Sequence, residues 1–441
     1  MTTMLQEKMQ QSFVTHVDEN KLMDCMRCGF CLPHCPTYLH SNFDETQSPR
    51  GRIALMKAVR DGQIAWDGSI EEAFDLCLGC RACEPACPAG VQYGTLIEET
   101  REAIVSVSPK SFKEKVVRKV AFDNLFANQK SMETVVGLVG FYQKSGLQKV
   151  VRKIGFLELF PPFMKDMESV LPAPPKKQHA KSPKAEVKTK VAFFTGCLMD
   201  TMFHETNRNT ISILEQLGCE VIIPKNQQCC GALHGHSGEL QKSKRNALAN
   251  IEAFEIDNVD FIVNNAGGCG AFLGEYDKLY IDDPKLHERA KQFTEKQIDI
   301  SSLFVKLGIT SLLENLPKES NVSGLVTYQD SCHLRNVSGV INEPREILNA
   351  VNDYTYVELP NAELCCGSAG IYNILQPKMA ALILESKMHE VKEIQAGTVI
   401  TTNPGCLLQM KVGIEREGLT STTRAMHLVD FLYEVLQKNN K

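Results

Sequence analysis

The chain has 441 residues, of which 43% are hydrophobic and 23% charged, and its formal charge is −5. This composition is typical of a globular protein of about two to four domains, and the absence of a basic stripe argues against nucleic-acid binding. No uncharged apolar run approaches the ~18 residues of a membrane span, and the first residues lack the apolar core of an export signal. We therefore expect a cytoplasmic protein, either free or peripheral on the cytoplasmic face of the membrane.

Two cysteine quartets occupy the first segment of the chain, residues 1–105. Each quartet reads Cys-x2-Cys-x2-Cys-x3-Cys-Pro. Seventeen cysteines in a chain without an export signal favour metal ligation over disulfides. Zinc sites usually combine two Cys-x2-Cys pairs, whereas a triplet with a trailing Cys-Pro is typical of [4Fe-4S] clusters.

The spacing also predicts how the eight thiolates are divided. A cubane cluster needs four thiolates, and a tight loop that supplies three of them cannot reach the fourth corner, so the fourth cysteine of each quartet serves the other cluster. We predict two [4Fe-4S] clusters with crossed ligands. Cluster one takes Cys25, Cys28, Cys31 and Cys87, and cluster two takes Cys77, Cys80, Cys83 and Cys35.

Helical and flexible segments surround these quartets. The run Arg52–Val59 between the quartets has the pattern of a helix, so the module is padded by helices. Residues 106–169 form a connector with helix-like apolar spacing. Residues 170–190 are rich in proline and lysine and cannot bury a core, which indicates a flexible linker.

The rest of the chain is an internal duplication of residues 191–320 and 321–441. In each half, three short apolar runs alternate with helical patterns, which predicts a parallel sheet covered by helices. The cysteines recur at matching places: Cys197, Cys229-Cys230 and Cys269 in the first half, and Cys332, Cys365-Cys366 and Cys406 in the second. The intervals differ by one residue each, which indicates duplication rather than chance.

These eight cysteines are candidate metal ligands. Loops at the carboxyl ends of parallel strands can meet, so each half can bring four thiols together. An additional cluster in each half, a zinc ion, and reduced cysteines without metal all remain open from the spacing alone. Cys219 lies outside the repeated pattern and is predicted to be a core residue.

The duplicated halves resemble the cysteine-rich CCG domain of heterodisulfide reductase and lactate-utilisation subunits. The resemblance is strongest to the glycolate oxidase iron–sulfur subunit family, on segments such as Gln228–His234, Cys365–Asn373 and Asn403–Cys406. It implies a multidomain α+β fold, with a helical two-cluster ferredoxin module followed by duplicated α/β CCG domains with parallel sheets. The fuller CCG motif ends in a further cysteine, where this chain has Phe272 and Gln409, and this departure argues against the type of cluster found in heterodisulfide reductase.

The resemblance further implies a complex with FAD-binding subunits that oxidise glycolate to glyoxylate. The chain would carry electrons from FAD to an acceptor such as quinone, which leaves the membrane quinone pool open as a partner. No Gly-x-Gly-x-x-Gly fingerprint follows a predicted strand, so we expect FAD on the partner and no catalytic residue or substrate oxidation in this chain alone.

Three other functions compete with this interpretation. The chain could be the corresponding subunit of a glycerol-3-phosphate or D-lactate dehydrogenase, because the substrate does not touch it. It could be a stand-alone thiol-disulfide or quinone reductase that uses the CCG halves. It could also be a redox-sensing binding protein without turnover. A flavoprotein partner would favour a dehydrogenase subunit over the stand-alone reductase and the redox-sensing protein.

Overall fold

Two parallel sheets and an N-terminal helical module make up the architecture, as the sequence predicts. The structure is a computed structural model that describes residues 3–108, 129–159, 162–170, 187–318 and 324–438. Most of the predicted linker, 170–190, and part of the connector lie outside the described residues. Among the described helices, none is both long enough and apolar enough to cross a bilayer.

The N-terminal module is built from short helices around one apolar core. Phe13, Trp66 and Phe74 form its centre, where the rings of Trp66 and Phe74 stack with 6.1 Å between centroids. The cysteine loops lie between these helices. The α-helices span Thr3–His16, Glu19–Met23, Pro36–Leu39, Pro49–Arg60, Gly68–Asp75 and Tyr93–Val107.

Three further helices form the described part of the connector: Gln129–Lys144, Leu147–Lys153 and Pro162–Val170. Glu168 joins them, because it accepts hydrogen bonds from Tyr142, Gln148 and Arg152. Asp166 pairs with Arg416 of the second duplicated half at 2.5 Å. The connector is thus fastened to the C-terminal part of the chain.

The first duplicated half contains a four-stranded parallel sheet in the order β2-β1-β3-β4. Its strands are β1 (Thr189–Phe194), β2 (Cys219–Ile222), β3 (Phe261–Asn264) and β4 (Gln297–Asp299). Gly218, at φ +83°, lies between the helix that ends at Gln216 and β2. The helices span Cys197–Thr201, His204–Gln216, Ala232–Gly235, Leu240–Ala253, Gly267–Leu273, Pro284–Lys296, Ile300–Lys306 and Ile309–Glu314.

The second half repeats this arrangement in the order β6-β5-β7-β8. Its strands are β5 (Gly324–Tyr328), β6 (Tyr354–Tyr356), β7 (Thr398–Thr401) and β8 (Arg424–His427). The fourth strand of each sheet, β4 and β8, is not predicted from the sequence. The helices span Cys332–Asn336, Glu343–Asn349, Tyr372–Leu375, Pro377–Ile394, Pro404–Arg416 and Leu428–Lys438.

The two halves share a single hydrophobic core. Phe193 of β1 and Tyr328 of β5 belong to the same buried cluster, together with Leu303, Leu428 and Phe431 from the surrounding helices. Cys219 is also part of this core, which confirms its predicted structural role. The halves therefore form one CCG pair rather than two separate bodies.

Candidate iron–sulfur sites

One cleft of the N-terminal module gathers the loop of the first quartet and the last cysteine of the second. Its lining includes Cys25, Cys28, Cys31 and Cys87, and Cys83 also reaches it. Arg27 and Gly29 have positive φ angles of 57° and 89°, which turn the loop tightly so that successive thiols face the same cleft. Of the eight ferredoxin cysteines, all within the described residues, Cys28 alone is classed as exposed.

The loop of the second quartet repeats this geometry further inside the protein. Gly79 and Arg81 have φ angles of 62° and 58°, close to the 57° of Arg27 in the first loop. Cys77 and Cys83 are buried, as is Cys35 of the first quartet. Burial raises the pKa of the Cys83 thiol, and the nearby Cys80, Cys77 and Cys35 raise it further. These four sulfurs therefore lie in one low-dielectric environment.

Three side chains that the motifs do not reveal surround Cys77. The Tyr93 hydroxyl donates to Cys77 Sγ at 3.5 Å, and Arg101 donates to its carbonyl oxygen at 2.6 Å. Arg52 lies nearby, completely buried. Burial by itself would raise the pKa of the Cys77 thiol, but the positive charges of Arg52 and Arg101 outweigh it, so this pKa is lowered. The site thus stabilises a thiolate at Cys77.

In the first half of the CCG pair, the four predicted thiols form two close contacts. Cys197 Sγ lies 3.6 Å from Cys229 Sγ, and Cys230 Sγ lies 3.4 Å from Cys269 Sγ. The three loops that carry them follow the carboxyl ends of β1, β2 and β3, as expected for a parallel sheet. A hydrogen bond from Cys197 lowers the pKa of the Cys229 thiol, which favours a thiolate there.

The second half brings its four thiols together in the same way. Burial raises the pKa values of the Cys365 and Cys366 thiols, and the neighbouring thiols of the same set, Cys366 and Cys406, raise them as well. All four are buried. Asn403 links the two halves here, because its amide donates to Cys406 Sγ at 3.6 Å and its oxygen accepts from the Gly268 backbone at 3.1 Å.

The positions of the missing motif cysteines hold well-packed side chains. Phe272 meets the His236 ring edge-on, with 5.7 Å between centroids, and packs against Tyr276. Gln409 is buried and accepts a 3.0 Å hydrogen bond from Asn373. Neither position offers a metal ligand of the thiolate type.

The N-terminal module contacts both halves of the CCG pair through its second cysteine loop. Arg81 pairs with Glu275 of the first half at 2.6 Å. Asn336 of the second half donates to the Cys80 carbonyl oxygen at 3.0 Å, and Tyr372 donates to that of Leu76. We call this contact region the junction. It places Cys80 against the second half, where Cys332 adds to the effect of burial in raising the pKa of the Cys80 thiol.

Two histidines stack at the junction. The rings of His236 and His333 are nearly parallel, 8° apart, with 5.0 Å between centroids. His236 Nδ1 lies 2.6 Å from Glu98 of the N-terminal module. Burial, and then the neighbouring His236 and Arg81, lower the pKa of His333 to about 3, so its ring is neutral at physiological pH. The histidines therefore close the junction by packing.

The donor set of the N-terminal module fits iron–sulfur clusters. All seventeen cysteines lie within the described residues and none forms a disulfide. Around the cleft of the N-terminal module, the thiols come from two separate loops. A mononuclear zinc site needs its ligands about 2.3 Å from one point, whereas thiols spread around a cleft suit a cluster of several irons.

Three known families match parts of the chain. Residues 21–91 match the family described as "4Fe-4S dicluster domain". Residues 191–274 and 326–411 match "Cysteine-rich domain", and residues 113–171 match "Glycolate oxidase iron-sulfur subunit, linker region". The matches identify an iron–sulfur protein with a ferredoxin-like domain and duplicated CCG domains.

Similar proteins extend over the full length. A protein of Bacillus subtilis (strain 168) described as a probable glycolate oxidase iron–sulfur subunit is 52% identical over 441 residues, 98% of each chain. The glycolate oxidase iron–sulfur subunit of Escherichia coli (strain K12) is 28% identical, covering 99% of this chain and 100% of that protein. Lactate utilization protein A of Oceanobacillus iheyensis is 33% identical but covers 55% of this chain and 96% of its own.

Proposed function

The chain belongs to the glycolate oxidase iron–sulfur subunit family, and on this basis we propose that it is the electron-transfer subunit of a flavin-linked glycolate dehydrogenase. In this function, partner subunits with FAD oxidise glycolate to glyoxylate, and this chain passes the electrons to an acceptor such as quinone. The observation that carries the proposal is the cleft lined by Cys25, Cys28, Cys31 and Cys87, which joins thiols from both quartets.

Two [4Fe-4S] clusters with crossed ligands are part of the proposal. Cys25, Cys28, Cys31 and Cys87 would hold cluster one, and Cys77, Cys80, Cys83 and Cys35 would hold cluster two. Bound there, each cluster would supply single-electron chemistry. Positive φ angles at Arg27 and Arg81 turn each loop tightly, so that its three thiols can bind one cluster. The helical core excludes water from Cys77 and Cys83 of the second loop.

The surface around Cys28 is the proposed point at which electrons enter the chain from the flavoprotein. Cys28 is exposed, and the apolar side chains of Met26 and Phe30 beside it are 69% and 64% exposed. An electron donor can approach this cleft more closely than the buried second loop. The apolar side chains can then be covered by the partner, which removes them from water.

The junction supports a direction for transfer beyond the second loop. Cys80 borders Cys332 and Cys365 of the CCG pair. We propose that the CCG pair serves docking and electron exit more than substrate chemistry, with an additional cluster or zinc held by its two thiol sets. A cytoplasmic position near the membrane, with the quinone pool as acceptor, belongs to the same proposal.

The test compares the chain with and without its flavoprotein subunits. Glycolate-dependent reduction of a dye should require both, and the chain alone should be inactive. Cys31→Ala should abolish transfer and lower the iron content, whereas Cys219→Ala, which changes a core cysteine outside the sites, should retain both. Turnover of glycolate by the pure chain would contradict the proposal.

A second candidate is the equivalent subunit of a lactate dehydrogenase. It is favoured by the 33% identity to lactate utilization protein A, but that likeness covers 55% of this chain. Full-length likeness to glycolate oxidase subunits argues for glycolate. Supplying D- and L-lactate in parallel to the same complex decides between them, since the preferred substrate is the one with the higher kcat/KM.

A further inference from the structure

The helix between the two quartets contains a buried cation. Arg52 lies in the helix Pro49–Arg60 and has 0% of its surface exposed. Its guanidinium donates to three neutral oxygens, on Ala73 at 2.5 Å, on Gln47 at 3.0 Å and on Thr37 at 3.1 Å. Within the described residues no ion pair joins Arg52 to a carboxylate. Removing a charge from water is costly unless an opposite charge lies nearby.

Sulfurs from both quartets are candidates for that opposite charge, because Cys77 and Cys35 interact electrostatically with Arg52. Arg52 bonds to Thr37 Oγ1, which lies 3.3 Å from Cys35 Sγ. On the other side, Tyr93 is hydrogen-bonded to Cys77 Sγ and interacts electrostatically with Arg52. Arg52 thus lies between Cys35 and Cys77, two cysteines assigned to the same cluster by the crossed arrangement.

Among the described residues that line the other cleft, none carries a comparable buried charge. Arg50 donates to the Arg27 carbonyl oxygen at the first loop, but its side chain is 29% exposed and pairs with Glu45 at 2.6 Å. Water and this carboxylate screen its charge. The two clefts therefore differ in their electrostatics although their cysteine motifs are the same.

We propose that Arg52 is the built-in counter-ion of the cluster held by Cys35, Cys77, Cys80 and Cys83, and that it raises the reduction potential of that cluster. The inference rests on the proposed function for the presence of this cluster. One electron, from the partner flavin or from a chemical reductant, adds one negative charge beside Arg52. A fixed positive charge in a low-dielectric site stabilises the reduced state, and net charge is among the factors that set such potentials. Arg52 is a positioning residue here, since it acts through the cluster ligands.

The experiment is a dithionite titration of the full chain, followed by electron paramagnetic resonance. Arg52→Gln should shift the potential of the second cluster to more negative values and leave that of the first unchanged. Arg52→Lys, which keeps the charge, should shift it less. Arg60→Gln is the control on the same helix and should leave both potentials at the wild-type values. No shift in Arg52→Gln, or equal shifts of both clusters, would overturn the proposal.

Loss of the second cluster in a variant is also informative. If Arg52→Gln loses the cluster while Arg52→Lys keeps it near the wild-type potential, the charge is required, as proposed. If both variants lose it, the cluster requires the hydrogen bonds of the Arg52 guanidinium and not its charge, and the proposal is wrong. Absence of iron in the wild-type chain would instead refute the proposed function, so the two failures are distinguishable.

Discussion

The side-chain amide of Asn336 donates a 3.0 Å hydrogen bond to the backbone carbonyl oxygen of Cys80. One residue belongs to the last domain and the other to the first, 256 positions apart in the chain. The bond fixes the backbone of the second cysteine loop against the CCG pair. Movement of either domain would therefore change the surroundings of Cys80.

Removing this bond should loosen the second loop. Asn336→Ala deletes a partly buried hydrogen bond, which is worth on the order of 1 kcal/mol. We expect faster amide hydrogen exchange in residues 76–83, and unchanged exchange in the Cys25 loop. Asn349→Ala removes the same kind of bond, from an asparagine to a carbonyl oxygen, at an exposed position and should leave residues 76–83 unaffected. Equal protection in both variants would show that Asn336 does not hold the junction.

The crossed ligand arrangement predicts which cluster is lost when a cysteine is replaced. Cys87→Ala should destroy the cluster built on Cys25, Cys28 and Cys31, because its fourth thiolate is lost. Cys35→Ala should destroy the other cluster. Resonance spectra of the reduced chain, with iron analysis, separate the two. If Cys87→Ala spares the cluster of Cys25, ligands are not exchanged between the quartets.

Docking by the CCG pair is tested through its central cysteines. Cys230→Ser and Cys366→Ser each remove a buried thiol from the middle of a thiol set. Co-purification with the flavoprotein should weaken, while about eight irons of the N-terminal module remain, as two cubanes require. Zinc and iron are measured on the same samples. Variants that assemble and bind metal normally, yet lose glycolate-dependent dye reduction, would indicate direct redox chemistry by these cysteines.

A buried carboxyl group predicts a pH effect on stability. Burial raises the pKa of Asp299 from its ordinary value of 3.8 to about 6. The contribution of this carboxyl group to the free energy of unfolding is fully present below pH 3.8 and is lost as the pH rises through 6. The loss lowers the free energy of unfolding by up to roughly 3 kcal/mol. Asp299→Asn should therefore raise the melting temperature at pH 8 by roughly 5 °C and by only about 1 °C at pH 4, where the carboxyl group is neutral in the folded protein.

The control for this pH effect is another helix-capping aspartate. Asp283 accepts hydrogen bonds from Lys285 and Leu286 at the start of its helix but lies at the surface. Asp283→Asn should lose a similar amount of stability at both pH values. A pH-independent effect of Asp299→Asn would mean that Asp299 is ionised throughout this range in the folded protein.

The fold class and the grouping of the cysteines could be predicted from the sequence, because both depend on short-range patterns. Spacing within Cys25–Cys35 and its copy identifies the ferredoxin loops, and the repeated intervals identify the duplicated sheets. Strand β4 is missed since its three residues pass directly into a helix. Strand β8 is missed because Arg424 and His427 interrupt its apolar pattern.

Arg52 and the junction could not be predicted from the motifs. An arginine among Ile53, Met56 and Val59 on an amphipathic helix is normally expected to reach solvent. Only the tertiary packing encloses it between Cys35 and Cys77. Likewise, neither cysteine motif encodes the contact of Cys80 with Cys332, since it depends on how two separately folded parts meet.

The common core of the CCG pair has a consequence for how the chain can be divided. Phe193 and Tyr328 come from different repeats but share one buried cluster, and Asp430 of the second repeat accepts hydrogen bonds from Thr206 and Asn209 of the first. A single repeat made alone would present this apolar surface to water and aggregate or pair with another copy. Deletion of either repeat should therefore destabilise the other.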